Sequence, residues 1–351
     1  VVSPHGFGHA ARSSAVADAL RRIRPDVRLE LFTTVPEWFF ADSIAGPLGY
    51  HEMQTDVGLV QRGSLTEDPV ATADALASFV PLDERGAPLA RQLIDLGCRL
   101  VLCDIAPLGI AAARQAGIPS VLVENFTWDW IYRSYAAEET RLGVIGEEMA
   151  DLVAAVTHHV QAEPVCHPVA DAVTVPPVYR QRRLPDHEVR RALGVGDDRP
   201  LVLMTMGGSA FDFDFLDRLR DQSDIVFIVH GSEAPIDGGS NLIALPRHSP
   251  VFMPDLVGAV DAIVGKLGYS TVAEAWAAGT RYAYVPRDRF AESAVLAEFV
   301  AGHLPVLEID RDGFAALDWL DGLHDLLATP RPAPATSNGA ETIAHLLVDL
   351  L

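Results

Sequence analysis

Residues 261–286 read DAIVGKLGYSTVAEAWAAGTRYAYVP, and their order decides the fold class. Ala262–Val264 is a short β-branched run that predicts a buried strand, Gly265-Lys266-Leu267-Gly268 turns the chain, and Ser270-Thr271 opens a helix. Gly279 stops that helix, and Arg281–Val285 supplies a second strand that ends at Pro286. A strand, a helix and a strand in such quick succession form a βαβ unit, whose crossover makes the two strands parallel.

The same alternation extends in both directions. Leu201–Met204, Ile225–Val229, Asn241–Leu245 and Val306–Ile309 are further strand candidates in the second half. Val1–Val2, Arg28–Thr33, Arg99–Cys103 and Pro119–Glu124 are those of the first, where Val16, Leu20 and Ile23 mark the inner face of a helix over Ala10–Ile23. The Pro- and Arg-rich stretch from Pro176 to Pro200 reads as a linker with one short helix. Thr329–Thr336 is a second break, followed by a last helix over Ala340–Leu351. The expected architecture is α/β: two Rossmann-like, doubly wound parallel-sheet domains, 1–178 and 200–337, joined by a linker at 179–199. The segment 338–351 is expected to pack back on the first domain.

Composition removes several function classes. Among 351 residues, 27 are basic and 48 acidic, a net charge of −21, which excludes a nucleic-acid or anionic-membrane surface. The basic residues are 26 Arg and one Lys, Lys266, which stands in the loop quoted above. Genome composition accounts for the arginines but not for that placement. Cys98, Cys103 and Cys166 form no C-x-x-C pair and read as buried thiols of a reducing compartment. No apolar run reaches the roughly 18 residues of a membrane span, and Val1-Val2-Ser3-Pro4 leads straight into a glycine-rich loop without a leader. The expectation is a cytoplasmic protein whose chain begins a few residues upstream, with no metal and no cofactor.

Ligands of parallel sheets bind outside the carboxyl ends of the strands, so the loops there hold the candidate chemistry. In His5-Gly6-Phe7-Gly8-His9 the glycines allow close approach to a ligand. Gly6, Gly8 and Ala11 also satisfy G-x-G-x-x-A, but the second strand ends in Thr33-Thr34 where a dinucleotide site needs an acid. A histidine can accept a proton at neutral pH, so His9 is a candidate base with Asp104, at the end of another strand, as its partner; the alternative is that both cap helices. Phe126, Trp128 and Trp130 alternate after the fourth strand, for stacking on an acceptor ring or for packing between domains. Gly207-Gly208-Ser209 is a candidate phosphate cradle or a simple turn, and Asp212-Phe213-Asp214 reads as a helix start more readily than as a metal site. Lys266, Gly268, Ser270 and Thr271 suit a diphosphate. Glu274 suits ribose hydroxyls, or closes a capping box with Thr271. The loop after Pro286 carries Arg289 and Glu292, suited to sugar hydroxyls.

These residues carry a resemblance. The Asp261-to-Glu274 spacing and the A-A-G before a strand ending in V-P resemble the donor site of GT-B glycosyltransferases, particularly the UDP-GlcNAc transferase family of peptidoglycan synthesis. SPHGFGHAAR at 3–12 and CDIAPLGIAAARQAGIPSVLVENFTWDWIY at 103–132 are similar, more closely still, to the glycosyltransferase-like N-terminal part of plant L-arabinokinases, which continue into a sugar kinase domain. The resemblance implies a GT-B fold with an acceptor domain and a donor domain facing a central cleft. It implies a metal-independent, hexosyltransferase-like enzyme that uses a nucleoside-diphosphate sugar, a UDP-sugar first, and an unknown acceptor. Glu274 would hold the ribose, Gly268, Ser270 and Thr271 the diphosphate, and the backbone around His248–Met253 the base. His9 would be the general base with Asp104, and Gly6, Phe7 and Gly8 would face the acceptor. Two departures stand out: Ser293 replaces the usual Gln after an acidic residue, and Lys266 replaces an Arg. A nucleotide-sugar 2-epimerase and a non-catalytic nucleotide-sugar-binding module are the alternatives.

Overall fold

The computed structural model describes residues 1–63, 65–207, 215–231 and 241–351. The readings placed on Gly208, Ser209 and Asp212–Asp214 lie outside these residues. The first half holds β1 (Glu30–Thr33), β2 (Gly49–Glu52), a short antiparallel pair β3 (Gln61–Gly63) and β4 (Thr66–Glu67), then β5 (Val101–Asp104), β6 (Ser120–Glu124), β7 (His158–Ala162) and β8 (Val173–Val175). β5, β6, β7 and β8 lie side by side in parallel, as do β1 and β2. Val1–Val2, expected as a strand, makes a single bridge from Val2 to Asp104. The Val2 amide also donates to the carbonyl of Phe32 at 3.0 Å, so this short segment joins the two groups of strands.

The second half is one parallel sheet of β9 (Leu201–Thr205), β10 (Val226–His230), β11 (Leu242–Leu245), β12 (Ala262–Lys266), β13 (Arg281–Val285) and β14 (Val306–Glu308), in the order β11-β10-β9-β12-β13-β14. Its strands are nearly continuous apolar runs because helices cover both faces. Along β9, Leu201 and Leu203 enter one core while Val202 and Met204 enter the other. The chain order reverses between β9 and β12, which creates a crevice at their carboxyl ends.

β2, β3, β4, β7 and β8 were not legible as strands. β7 reads HHVQA, and its polar members bond sideways: His159 Nε2 and Gln161 Nε2 both lie 2.8 Å from Oε1 of Glu124 on β6. The first helix, Phe7–Ile23, starts earlier than Ala10 because Gly6, at φ 76° and ψ −176°, adopts a conformation essentially reserved for glycine. The linker region holds a short helix, Asp186–Ala192. The last helix, Gly339–Leu350, places Ala340, Ile343, Ala344 and Leu347 in the core that contains Val16, Ala19 and Leu20 of the first helix. Of the cysteines, all free, only Cys103 is buried; Cys98 and Cys166 are half-buried, which corrects the expectation for those two. Among the described residues no helix is long and apolar enough to cross a membrane.

Candidate active site

A cleft of about 580 Å³ lies where the carboxyl ends of the two sheets meet. Two helices begin on it from opposite sides, Phe7–Ile23 and Tyr269–Ala278, and neither has a side-chain cap. A Cβ added to Gly8 would lie 3.9 Å from Ser270 Oγ, so the two starts approach across the cleft. Each presents unpaired backbone N–H groups and the positive end of its dipole to the same space. Arg12, Arg180, Arg247, Lys266 and Arg287 also line this cleft, a local cationic site within a chain of net charge −21.

On the first-domain side, His9 Nδ1 lies 3.0 Å from Asp104 Oδ1. Arg12, one turn along the helix, donates to both oxygens of Asp104, from Nη2 at 2.6 Å and Nε at 2.9 Å, and Ser13 Oγ adds a bond at 3.1 Å. All three partners of the carboxylate come from one helix, and Asp104 and Arg12 are each 1% exposed. Burial pulls the Asp104 carboxyl upward, but Arg12 and His9 outweigh it and hold it below the usual range. The Asp104 carboxylate likewise raises the Arg12 guanidinium against the effect of burial. His9 Nε2 has no hydrogen-bond partner among the described residues, and His9 lines the cleft.

On the second-domain side, Lys266 ends β12 and lies against Gly207 at the end of β9. A Cβ on Gly207 would come within 3.0 Å of Lys266 Cε, so the missing side chain makes room for the lysine. Burial, then the nearby Arg287, push the Lys266 ammonium down to about 8, with Glu292 and Glu67 pulling the other way. Among the described residues the ammonium has no hydrogen-bond partner. Gly268 is the N-cap of the following helix and Ser270 and Thr271 lie in its first turn, all lining the cleft. Thr271 is therefore inside the helix, and the capping box with Glu274 does not form. Glu274 instead accepts from Arg180 Nε at 2.9 Å; burial raises its carboxyl, and Arg180 only partly offsets this.

Gly6, Phe7, Gly8, Phe126, Gly207, Met253 and Glu292 also line the cleft. Trp128 lies behind it, edge-on to His5, with its indole N–H on Asp56 Oδ2 at 3.0 Å. Trp130 packs against the buried cluster that holds Phe126, Trp128 and Phe290, and Arg289 turns outward to an ion pair with Glu138. Ser293, at the divergent position, uses its Oγ to accept the Arg287 amide at 2.9 Å and so shapes the loop. The domains also meet through Glu67 and Arg287 at 2.5 Å and through Trp38 stacked on His248 at 4.2 Å.

Sequence reasoning assigned no role to Arg12, Asp56, Arg180 or His230, all of which line the cleft. Arg12 had a signal, since i and i+3 share a helix face with His9. Asp56, whose carboxyl burial raises to about 6, sits in an irregular segment without pattern. Arg180 belongs to the linker, and His230, at the end of β10, is pushed down to about 4 by burial.

Two doubly wound parallel-sheet domains facing a cleft constitute the GT-B fold of glycosyltransferases, and the comparisons agree. No protein-family model matches the chain. L-arabinokinase of Arabidopsis thaliana is 29% identical over 353 residues, a match that takes in 99% of this chain and 33% of that protein. The chain thus spans a third of its relative's length. Phytolacca americana UGT2, complexed with UDP-2-fluoro-glucose and pterostilbene, is similar with a TM-score of 0.64 and 10% identity, over 99% of this chain and 98% of that one. MurG of Acinetobacter baumannii gives a TM-score of 0.58 at 16% identity, over 99% and 98% of the two chains.

Proposed function

We propose that this protein transfers a sugar, a hexosyl group first, from a nucleoside-diphosphate sugar to an acceptor hydroxyl. The observation that carries the reading is the His9–Asp104 pair facing an uncapped helix start and a lysine across one cleft. His9 Nε2 takes the proton of the acceptor hydroxyl as its oxygen bonds to the anomeric carbon. The bond from that carbon to the diphosphate oxygen breaks, and the diphosphate leaves with the electron pair. The amides at Tyr269–Thr271 and the Lys266 ammonium meet the developing charge, so turnover is expected to survive EDTA. Asp104 orients the His9 ring and stabilises the imidazolium that forms. Residues 1–178 act as the acceptor side and 200–337 as the donor side.

UDP is the first choice of nucleotide; the solved complex with UDP-2-fluoro-glucose supports it by analogy of fold. A thermal-shift series with UDP, dTDP, GDP and their sugars tests the reading. Stabilisation by one nucleotide family is expected, and no stabilisation by any would overturn it.

A second reading, nucleotide-sugar 2-epimerisation, draws on the carboxylates Asp56, Glu274 and Glu292 along the cleft. Glu274 is engaged by Arg180 and Glu292 by Asn125, whereas Asp56, bonded through Oδ2 to the Trp128 indole, has no hydrogen-bond partner for Oδ1 among the described residues, which makes it the acid–base candidate. Proton NMR of UDP-N-acetylglucosamine incubated with the protein separates the two: a C2 epimer formed without any acceptor supports epimerisation.

A further inference from the structure

Asn125 and Glu292 meet across the domain boundary. Asn125 follows the last residue of β6 and is fully buried. Its Nδ2 donates to Glu292 Oε1 at 2.7 Å, and its Oδ1 accepts from Arg12 Nη1 at 2.6 Å. A guanidinium only donates and a carboxylate only accepts, so a single amide orientation satisfies both neighbours. An aspartate there would repel Glu292, and an alanine would leave both partners short of a bond. The Asn125 backbone is itself fixed, its carbonyl accepting the Cys166 amide at 2.8 Å.

Glu292 opens the helix Glu292–His303 of the second domain and lines the cleft, 5% exposed. Through Asn125 it joins Arg12, Asp104 and His9 in one chain of hydrogen bonds that runs from one domain to the other. Lys266 and the start of helix Tyr269–Ala278, which would face a diphosphate, lie in the second domain and are not hydrogen-bonded to Asn125 or Glu292; Glu292 acts on the Lys266 ammonium only through space, and Arg12 stacks on the Tyr269 ring at 4.8 Å.

We propose that Asn125 is a positioning residue for the donor sugar: it fixes Oε1 of Glu292 from the opposite domain so that the other oxygen receives hydroxyls of the transferred sugar. This assignment rests on the transfer reading. The grip on the sugar then assembles only when both domains are in contact, and it reports to His9 through Arg12. Nucleotide without sugar bypasses Asn125 altogether.

Calorimetric titration of UDP, UDP-glucose and UDP-N-acetylglucosamine into the unmodified chain, Asn125→Ala, Glu292→Gln and the double variant tests the proposal. UDP affinity is expected to fall by no more than about twofold in any variant, since loss of the Glu292 charge does not weaken an anionic ligand. Affinity for the UDP-sugar that binds more tightly falls about tenfold in each single variant, and the double variant loses no more than Glu292→Gln alone, as expected for partners in one network. Should Asn125→Ala fail to fold, Glu292→Gln alone must still weaken the UDP-sugar and spare UDP. Equal weakening of UDP and UDP-sugar, additive losses, or no change in either overturns the assignment. An unmodified chain that binds no nucleotide overturns the transfer reading instead.

Discussion

Arg12 grips both carboxylate oxygens of Asp104, at 2.6 and 2.9 Å, while Oδ1 of the same carboxylate meets His9 Nδ1 at 3.0 Å. The candidate base is thus held by an aspartate that a buried cation already neutralises. Arg12 reaches Asp104 from the same helix as His9, so one helix holds both groups against the carboxylate at the end of β5.

Removal of Arg12 leaves a buried carboxylate without its cation. Arg12→Gln is expected to cost about 3–5 kcal/mol of stability, read by urea unfolding at pH 7. The folded carboxyl of Asp104 is held below its unfolded value of about 4, so its contribution is complete above that pH and is lost as pH falls through the folded value. The unmodified protein therefore loses stability on acidification in this window, and Arg12→Gln shows a shallower loss.

Lys266 gives a pH signature on the alkaline side. Its ammonium is pushed down to about 8, so UDP affinity is expected to hold below that pH and to decline as pH rises above it. Lys266→Met should weaken UDP by about ten- to a hundredfold at pH 7, the scale of one charged hydrogen bond, and remove the decline. Because the folded lysine titrates below its unfolded value of about 10.4, the unfolded chain holds more protons between the two values. Stability from this residue rises with pH across that window, and at pH 7 Lys266→Met should raise Tm by roughly 2–4 °C. Calorimetric titration and scanning calorimetry over pH 6.5–9.5 check both effects.

Glu274 and Arg180 form a buried pair 2.9 Å apart within the cleft wall. Arg180→Ala strands the carboxylate and is expected to cost about 3–5 kcal/mol, whereas Glu274→Gln keeps an acceptor for Arg180 and costs less. If Glu274 also receives a ribose hydroxyl, the unmodified protein prefers UDP over its 2′- or 3′-deoxy analogue, and Glu274→Gln narrows that preference about tenfold. Competition titrations with the three nucleotides read the difference.

The parts of the fold visible in sequence are those fixed by local patterns. β12 and β13 are largely apolar runs, and the helix start at Gly268–Thr271 follows its strand directly, so this βαβ unit could be placed from 261–286 alone. β7 escaped because His159 and Gln161 are satisfied sideways by Glu124, a contact between separate strands. His9 and Asp104 were legible as two strand-end residues, but the Arg12 clamp was not, since a helical arginine ordinarily faces solvent. Arg180 and Asn125 join elements far apart in the chain, and no spacing rule announces such contacts. Trp128 and Trp130 share the spacing of Phe126 yet leave the cleft because the segment turns helical at Trp128, which spreads alternate residues around an axis.

The central claim is that His9 removes the acceptor proton, and one comparison tests it most directly. UDP affinity and sugar-transfer turnover are measured side by side for the unmodified chain and His9→Ala, with UDP-glucose and UDP-N-acetylglucosamine as donors and a panel of sugar and phenol acceptors. Unchanged UDP affinity with turnover reduced at least a hundredfold, the scale of general base catalysis at about 10²–10⁴, is the predicted result. Turnover of His9→Ala equal to that of the unmodified protein, or an unmodified protein that binds UDP yet transfers no sugar to any acceptor, would contradict it.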